Sequence, residues 1–281
     1  MTDDQLTPEL LTDDLVFGEG PRWRDDRLWF SDMHGEAVWT VDLAGHKEKV
    51  ADLPGRKPSG LGFLPDGDLL IVSMLERQIL RLHGEALSLH ADLSDLVADG
   101  LNDMVVDQHG RAYVGSFPPP ASPEGVIVLV EPDGSPRIAA TDVIFPNGSV
   151  ITADAKQLIV AESLGRRFTS FGIEADGSLV NREVFAEAPG RGPDGMCLDR
   201  EGALWAAMPL ARAFQRILPG GEVAQTVVID DRMAIACALG GPDRQTLFLL
   251  TALEHSPSLL EGTRDATIHV CHVPVGGAGT P

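Results

Sequence analysis

Asn102–Phe117 reads NDMVVDQHGRAYVGSF: an Asn-Asp start, a short apolar run, a polar turn closed by Gly110, then a second run ending at Phe117. Two such runs around a Gly-bearing turn describe a pair of buried antiparallel strands. The same phrase recurs on both sides. Upstream stand EGPRWRDDRLWFSDM from Glu19 and SGLGFLPDGDLLIVSM from Ser59. Downstream stand NGSVITADAKQLIVAES from Asn147, DGMCLDREGALWAAMP from Asp194 and, more weakly, CALGGPDRQTLFLLTA from Cys237. Successive starts lie 40, 43, 45, 47 and 43 residues apart. A third strand follows most pairs, as in AVWTVDL, QILRLHG and RFTSFGIEADG. Six units of this period, each with three or four short strands, predict an all-β fold, a six-bladed β-propeller filling residues 1–281 as a single domain. The ring must close or leave open edges. The segment LLTDDLVF (residues 10–17) supplies an outer strand for the last blade, paired with TIHVCHV (residues 267–273). Only SDLVAD (residues 94–99) suggests a helical turn.

Composition narrows the function classes. The chain has 281 residues, 43% of them hydrophobic and 23% charged, which excludes wholesale disorder. Its 22 Lys and Arg against 42 Asp and Glu give a net charge of −20, so it repels phosphate backbones and anionic lipid surfaces. Neither a nucleic-acid nor a membrane partner is expected, and no charge pattern marks a protein partner. Three cysteines without CxxC spacing make neither a disulfide framework nor a zinc ribbon. The acidic start MTDDQLTPELLTDD has no apolar core, and no apolar run approaches the roughly 20 residues of a membrane helix. The expectation is a cytoplasmic protein.

In a propeller the inner strand of each blade lines a central channel, so equivalent repeat positions form a ring. The ring here reads Glu19, Ser59, Asn102, Asn147, Asp194 and Cys237. Five of these are oxygen donors, an inventory that suits a hard divalent cation such as Ca²⁺ or Mg²⁺. Two carboxylates gathered there without a cation would repel each other. An Asn-Gly or Asp-Gly pair alone is a turn former. The shared phase of all these residues is what points to a metal. Cys237 reads as a small buried residue closing the sixth blade.

The starts FGEGPRW, PSGLGFLPDGDLLI, LNDMVVDQHGRAYVGS, FPNGSV and GPDGMCLDREGALW, in order and in phase, resemble the gluconolactonase family, which includes regucalcin (senescence marker protein) and the luciferin-regenerating enzyme. The likeness runs from about residue 15 to 275. It implies a six-bladed propeller with one divalent cation at the channel mouth, Ca²⁺ foremost and Zn²⁺, Mg²⁺ or Mn²⁺ as alternatives, held by Glu19, Asn147 and Asp194. It further implies that Asn102 contacts substrate or joins the metal shell, with Asp103 beside it at the substrate side. Sugar-lactone members often carry an Arg two residues before that Asn to hold substrate hydroxyls. Gly100 stands there in this chain. Met33, Leu101, Met104, Phe117, Phe145 and Met208 lie near strand ends that can face the mouth.

The chemistry expected is hydrolysis of a lactone or related ester, the small-molecule substrate, with the cation as Lewis acid. Asp194 is the catalytic candidate, as general base or as nucleophile. Alternatives are a metal-dependent phosphotriesterase or other esterase, and a non-catalytic metal-binding propeller. There is no G-x-S-x-G elbow, no nucleotide-binding glycine signature and no HExxH pair. His269 and His272, three apart in one strand, point to opposite faces, and His34 borders the mouth.

Overall fold

The structure is a computed structural model that describes residues 6–188, 192–253 and 263–279. The short branched and aromatic runs all become strands, numbered β1 to β24 in chain order, in six antiparallel four-stranded sheets. No α-helix occurs among the described residues. The expected helical turn at residues 94–99 forms as a single turn, in which Leu96 N and Val97 N both donate to Leu93 O, and does not extend into a helix. Five blades are consecutive in sequence, spanning Gly18–Asp52, Pro58–Asp92, Gly100–Ile144, Pro146–Glu187 and Met196–Val228. The sixth combines β22 (Arg232–Gly240), β23 (Thr246–Leu253) and β24 (Ala266–His272) with β1 (Glu9–Leu15) as its outer strand. Leu10 pairs with His269 and Leu15 with Ala266, and Arg264 Nε adds a 2.6 Å ion pair to Asp14. The ring therefore closes on the expected segment.

The inner strands are β2 (Gly18–Arg24), β6 (Pro58–Phe63), β10 (Gly100–Val106), β14 (Pro146–Ile151), β18 (Met196–Leu198) and β22. Strands β10 and β14 are buried at every residue, whereas the outer strand Ala86–Asp92 is mostly exposed. Between neighbouring blades lie six apolar clusters. One joins Leu70 and Val72 to Leu101 and Met104, and another joins Phe248 and Leu250 to Leu28 and Phe30. Burying each such side chain contributes about 1.5–3 kcal/mol, so the blades are held by side chains rather than by shared backbone ladders.

Five of the six inner strand pairs slip register near their start, at Glu19/Arg22, Pro58/Leu61, Leu101/Met104, Pro146/Ser149 and Ala234/Ala236. A bulge bends its strand and re-aims side chains. Here the bulges recur at one end of the channel and set the ring of polar side chains. Close packing of adjacent strands demands small residues at the bulge. A Cβ on Gly148 would lie 2.6 Å from Asp194 O and 2.8 Å from Gly195 Cα.

Candidate functional site at the channel mouth

Glu19 leaves β2 just before its bulge, is 7% exposed, and pairs across the blade with Ser31. Asn102 and Asn147 fall inside the bulges of β10 and β14 and are equally buried. Asp194 precedes β18, fixed by donation from its own N–H to Ala207 O at 2.9 Å, while Gly195 N donates to Ile235 O of the neighbouring blade. These four expected residues thus come to one mouth. Ser59 joins them, 1% exposed with its hydroxyl unpartnered. Cys237 does not. The register shift of the sixth blade falls at Ile235, and Cys237 lies two residues further along β22, donating its thiol to Trp205 O at 3.2 Å. An apolar residue therefore holds the sixth ring position.

The electrostatics of the mouth are strained. Burial pushes the Glu19 carboxyl well above its usual range, and the charges of Asp194 and Asp103 push it further. Burial likewise raises Asp194 to about 7, against a lowering hydrogen bond from the Asn147 side chain. Asp194 Oδ1 is buried without any hydrogen-bond partner. A buried acceptor normally finds one. Asn147 Nδ2 also donates to Ser163 Oγ at 3.2 Å, and that hydroxyl donates to Pro193 O at 2.7 Å, which locks the carboxamide next to Asp194. Asn102 Nδ2 donates to Pro146 O at 3.0 Å. Two buried carboxylates, a fixed carboxamide and an orphaned oxygen match the hard-oxygen donors a divalent cation takes. The fit depends on the carboxamide. Among the described residues no group of three or more His, Cys, Asp or Glu is arranged to hold a metal.

Asp103 is 5% exposed and turned inward. Its Oδ1 accepts from Met104 N at 2.8 Å and from Arg22 Nη2 at 3.3 Å, and burial still leaves its carboxyl raised. Arg22 is the residue that sequence reading passed over. It lies three positions after Glu19, 5% exposed, donating to Met104 O at 2.6 Å and Pro21 O at 2.7 Å, a cation within the channel beneath the carboxylates. The signal available was its place in the repeat, because the residues three positions after the other starts, Gly62, Val105, Val150, Cys197 and Gly240, are all uncharged. Of the apolar candidates, Leu101, Met104 and Met208 are core, while Met33, Phe117 and Phe145 remain accessible. Phe117 and Phe145 meet edge-on with centroids 5.0 Å apart. His34 packs against Phe17, and burial together with Lys57 lowers its pKa. His269 is half-buried and His272 exposed, and among the described residues no metal cluster includes them.

Known proteins share this architecture and sequence. The chain is 23% identical to a 6-deoxy-6-sulfogluconolactonase of Pseudomonas putida over 95% of its own length and 94% of that protein's. It is 26% identical to a pentonolactonase of Haloferax volcanii over 84% of the chain and 81% of the relative. A solved structure described as a calcium-binding protein, regucalcin, from Agrobacterium tumefaciens superposes with a TM-score of 0.84 at 22% identity, covering 99% of this chain and 97% of that one. The model of the SMP-30/Gluconolactonase/LRE-like region matches residues 17–253, and the chain belongs to that family.

Proposed function

We propose that the chain is a divalent-cation-dependent lactonase acting at the mouth ringed by Glu19, Asn102, Asn147 and Asp194. The observation carrying this reading is the buried Glu19 and Asp194 pair, each raised in pKa, with Asp194 Oδ1 left without a partner. The names of the lactonase relatives support the reaction class. Glu19, Asn147 and Asp194 would hold one cation, and their hard oxygens suit Ca²⁺. Such an ion, when bound, polarises a carbonyl oxygen and lowers the pKa of water. Asp194 accepts the proton of the attacking water and passes it to the ring alkoxide as the acyl–oxygen bond breaks. Asn102, anchored through one N–H on Pro146 O, presents its second N–H to a substrate oxygen. Arg22 pairs with Asp103 below the site, and its charge offsets part of the repulsion that Asp103 adds at Glu19.

Specificity follows from two neighbours. Gly100 packs beside Phe117, with room for a Cβ 3.4 Å from its nearest atom, and offers no side-chain donor to substrate hydroxyls. The Phe117–Phe145 pair adds an apolar edge. Lactones with an apolar substituent are therefore favoured over polyhydroxylated ones. The test is hydrolysis of a lactone panel by chelator-stripped protein with Ca²⁺, Mg²⁺, Mn²⁺ or Zn²⁺ restored. Turnover that returns with cation and falls about 10²- to 10⁴-fold in Asp194→Asn supports the assignment. Cation binding with no lactone turnover would move the reaction to another ester, such as a phosphotriester. Failure to bind any cation would remove the site.

A further inference from the structure

The inner strands all run the same way, so the channel has a second end, about 13 Å from Glu19 at 3.3 Å per residue along β2. A cavity of about 420 Å³ opens there, walled by Trp23, Phe63, Val106, Ile151, Leu198 and Leu239, the closing residues of the inner strands. Residues Gly277 and Gly279 cross one side of it, tied down by Gly277 N on Arg244 O and Ala278 N on Leu198 O. This volume and apolar lining are those of small-molecule sites. Glu19, Asn102, Asn147 and Asp194 do not line it; of the residues given a role at the mouth only Arg22, which pairs with Asp103 from below, reaches it.

The charged groups left with unused hydrogen-bonding capacity in it have one sign. Arg22 lines the cavity, and its Nε–H is buried without a partner although the rest of the guanidinium is engaged. Arg24 lies at the rim over the Phe63 ring, 4.5 Å from its centroid, and among the described residues its ion pair is an exposed contact to Asp25. Arg244 also lines the cavity and forms no ion pair among the described residues. The lining carboxylate, Asp107, is already saturated: its oxygens accept from His109 N, Arg111 N and Arg111 Nε at 2.7–2.9 Å. Three arginines meeting at one apolar cavity stand out in a chain of net charge −20. We infer that this end of the channel is a second binding site for a small organic anion with an apolar body, a carboxylate or sulfonate whose head group pairs with the arginines. A guanidinium fork matches such head groups in geometry as well as charge.

The inference is tested by octanoate displacement of the fluorescent sulfonate 8-anilinonaphthalene-1-sulfonate from folded full-length protein. One saturable site is expected, with affinity rising about fourfold per methylene from hexanoate to octanoate. Octanol should bind at least tenfold more weakly than octanoate. Ala153→Trp, at an exposed turn residue on the rim, should weaken both dye and octanoate at least tenfold. The Arg24→Ala, Arg244→Ala double variant should lose anion affinity while sparing octanol. Asp194→Asn should change nothing, which separates this end from the lactonase mouth whether or not that mouth turns over lactones. Absence of saturable binding would overturn the proposal. So would indifference to Ala153→Trp, or sensitivity to Asp194→Asn.

Discussion

Asp194 and Glu162 show two ways of burying a carboxylate. Asp194 is raised and keeps an oxygen unpartnered, whereas Glu162, fully buried, accepts from Ile144 N at 2.6 Å, Arg167 Nε at 2.9 Å and Thr169 Oγ1. Burial pushes Glu162 up, but those bonds and the charge of Arg167 prevail and leave it lowered. A lowered carboxyl stabilises the fold above its unfolded value, and that contribution is lost as pH falls through the folded value. Glu162→Gln should therefore destabilise by roughly 2 kcal/mol at neutral pH. Denaturant titrations should show the gap narrowing below pH 4.5 and vanishing once the native carboxyl is protonated. Asp194→Asn is expected to behave in the opposite manner. It removes a group that burial disfavours, so the cation-free variant should melt no lower than the cation-free parent, while the stabilisation given by Ca²⁺ shrinks. Gly100→Arg should raise kcat/KM for a polyhydroxylated lactone relative to an alkyl-substituted one, about tenfold if one hydroxyl gains a charge-assisted bond. Parallel kinetics on both substrates would show it.

At the scale of strands, the repeat phase of the first four polar starts was legible because their bulges fall at the same place in each strand, while Asp194 keeps the phase without a bulge, through its N–H on Ala207 O. The sixth was misplaced by two residues, since CALGG has the look of a start while the shift falls at Ile235, where no polar side chain marks it. The inward turn of Asp103 was also illegible. It depends on Arg22 arriving from a strand 81 residues earlier, and that pairing leaves no local trace in either segment. The bulges are tight enough to test directly. Gly148→Ala forces a methyl against Asp194 O and Met196 N, both nearer than 3.0 Å, and should cost about 1–3 kcal/mol. Because the clash spreads the strand that carries Asn147 from the segment that carries Asp194, cation affinity measured by calorimetry should fall as well, even at temperatures where the variant is folded.

Across the whole molecule, the six blades and their closure were readable from period and punctuation alone, because strand, turn and strand repeat faithfully around the ring. The cavity at the far end was not readable: its walls come from six separate segments whose apolar residues look like ordinary core. Closure itself makes a prediction. A chain starting after Leu15 exposes the edge of β24, whose Ile268, His269 and Val270 had partners in β1. It should self-associate on size exclusion, and a peptide spanning residues 7–17 added in trans should restore the monodisperse form.

The same closure has a cost in time. Asp14 and Arg264, which meet where the ring is fastened, are 250 residues apart in the chain. At synthesis rates of about 5–20 residues per second, β1 emerges from the ribosome about 12–50 s before the strand it must join. For that interval Glu9–Leu15 is a strand without a sheet, and whatever shields nascent chains has to hold it. A circular permutant placing this segment after β24 would make both strands together and abolish the wait, leaving the finished ring unchanged.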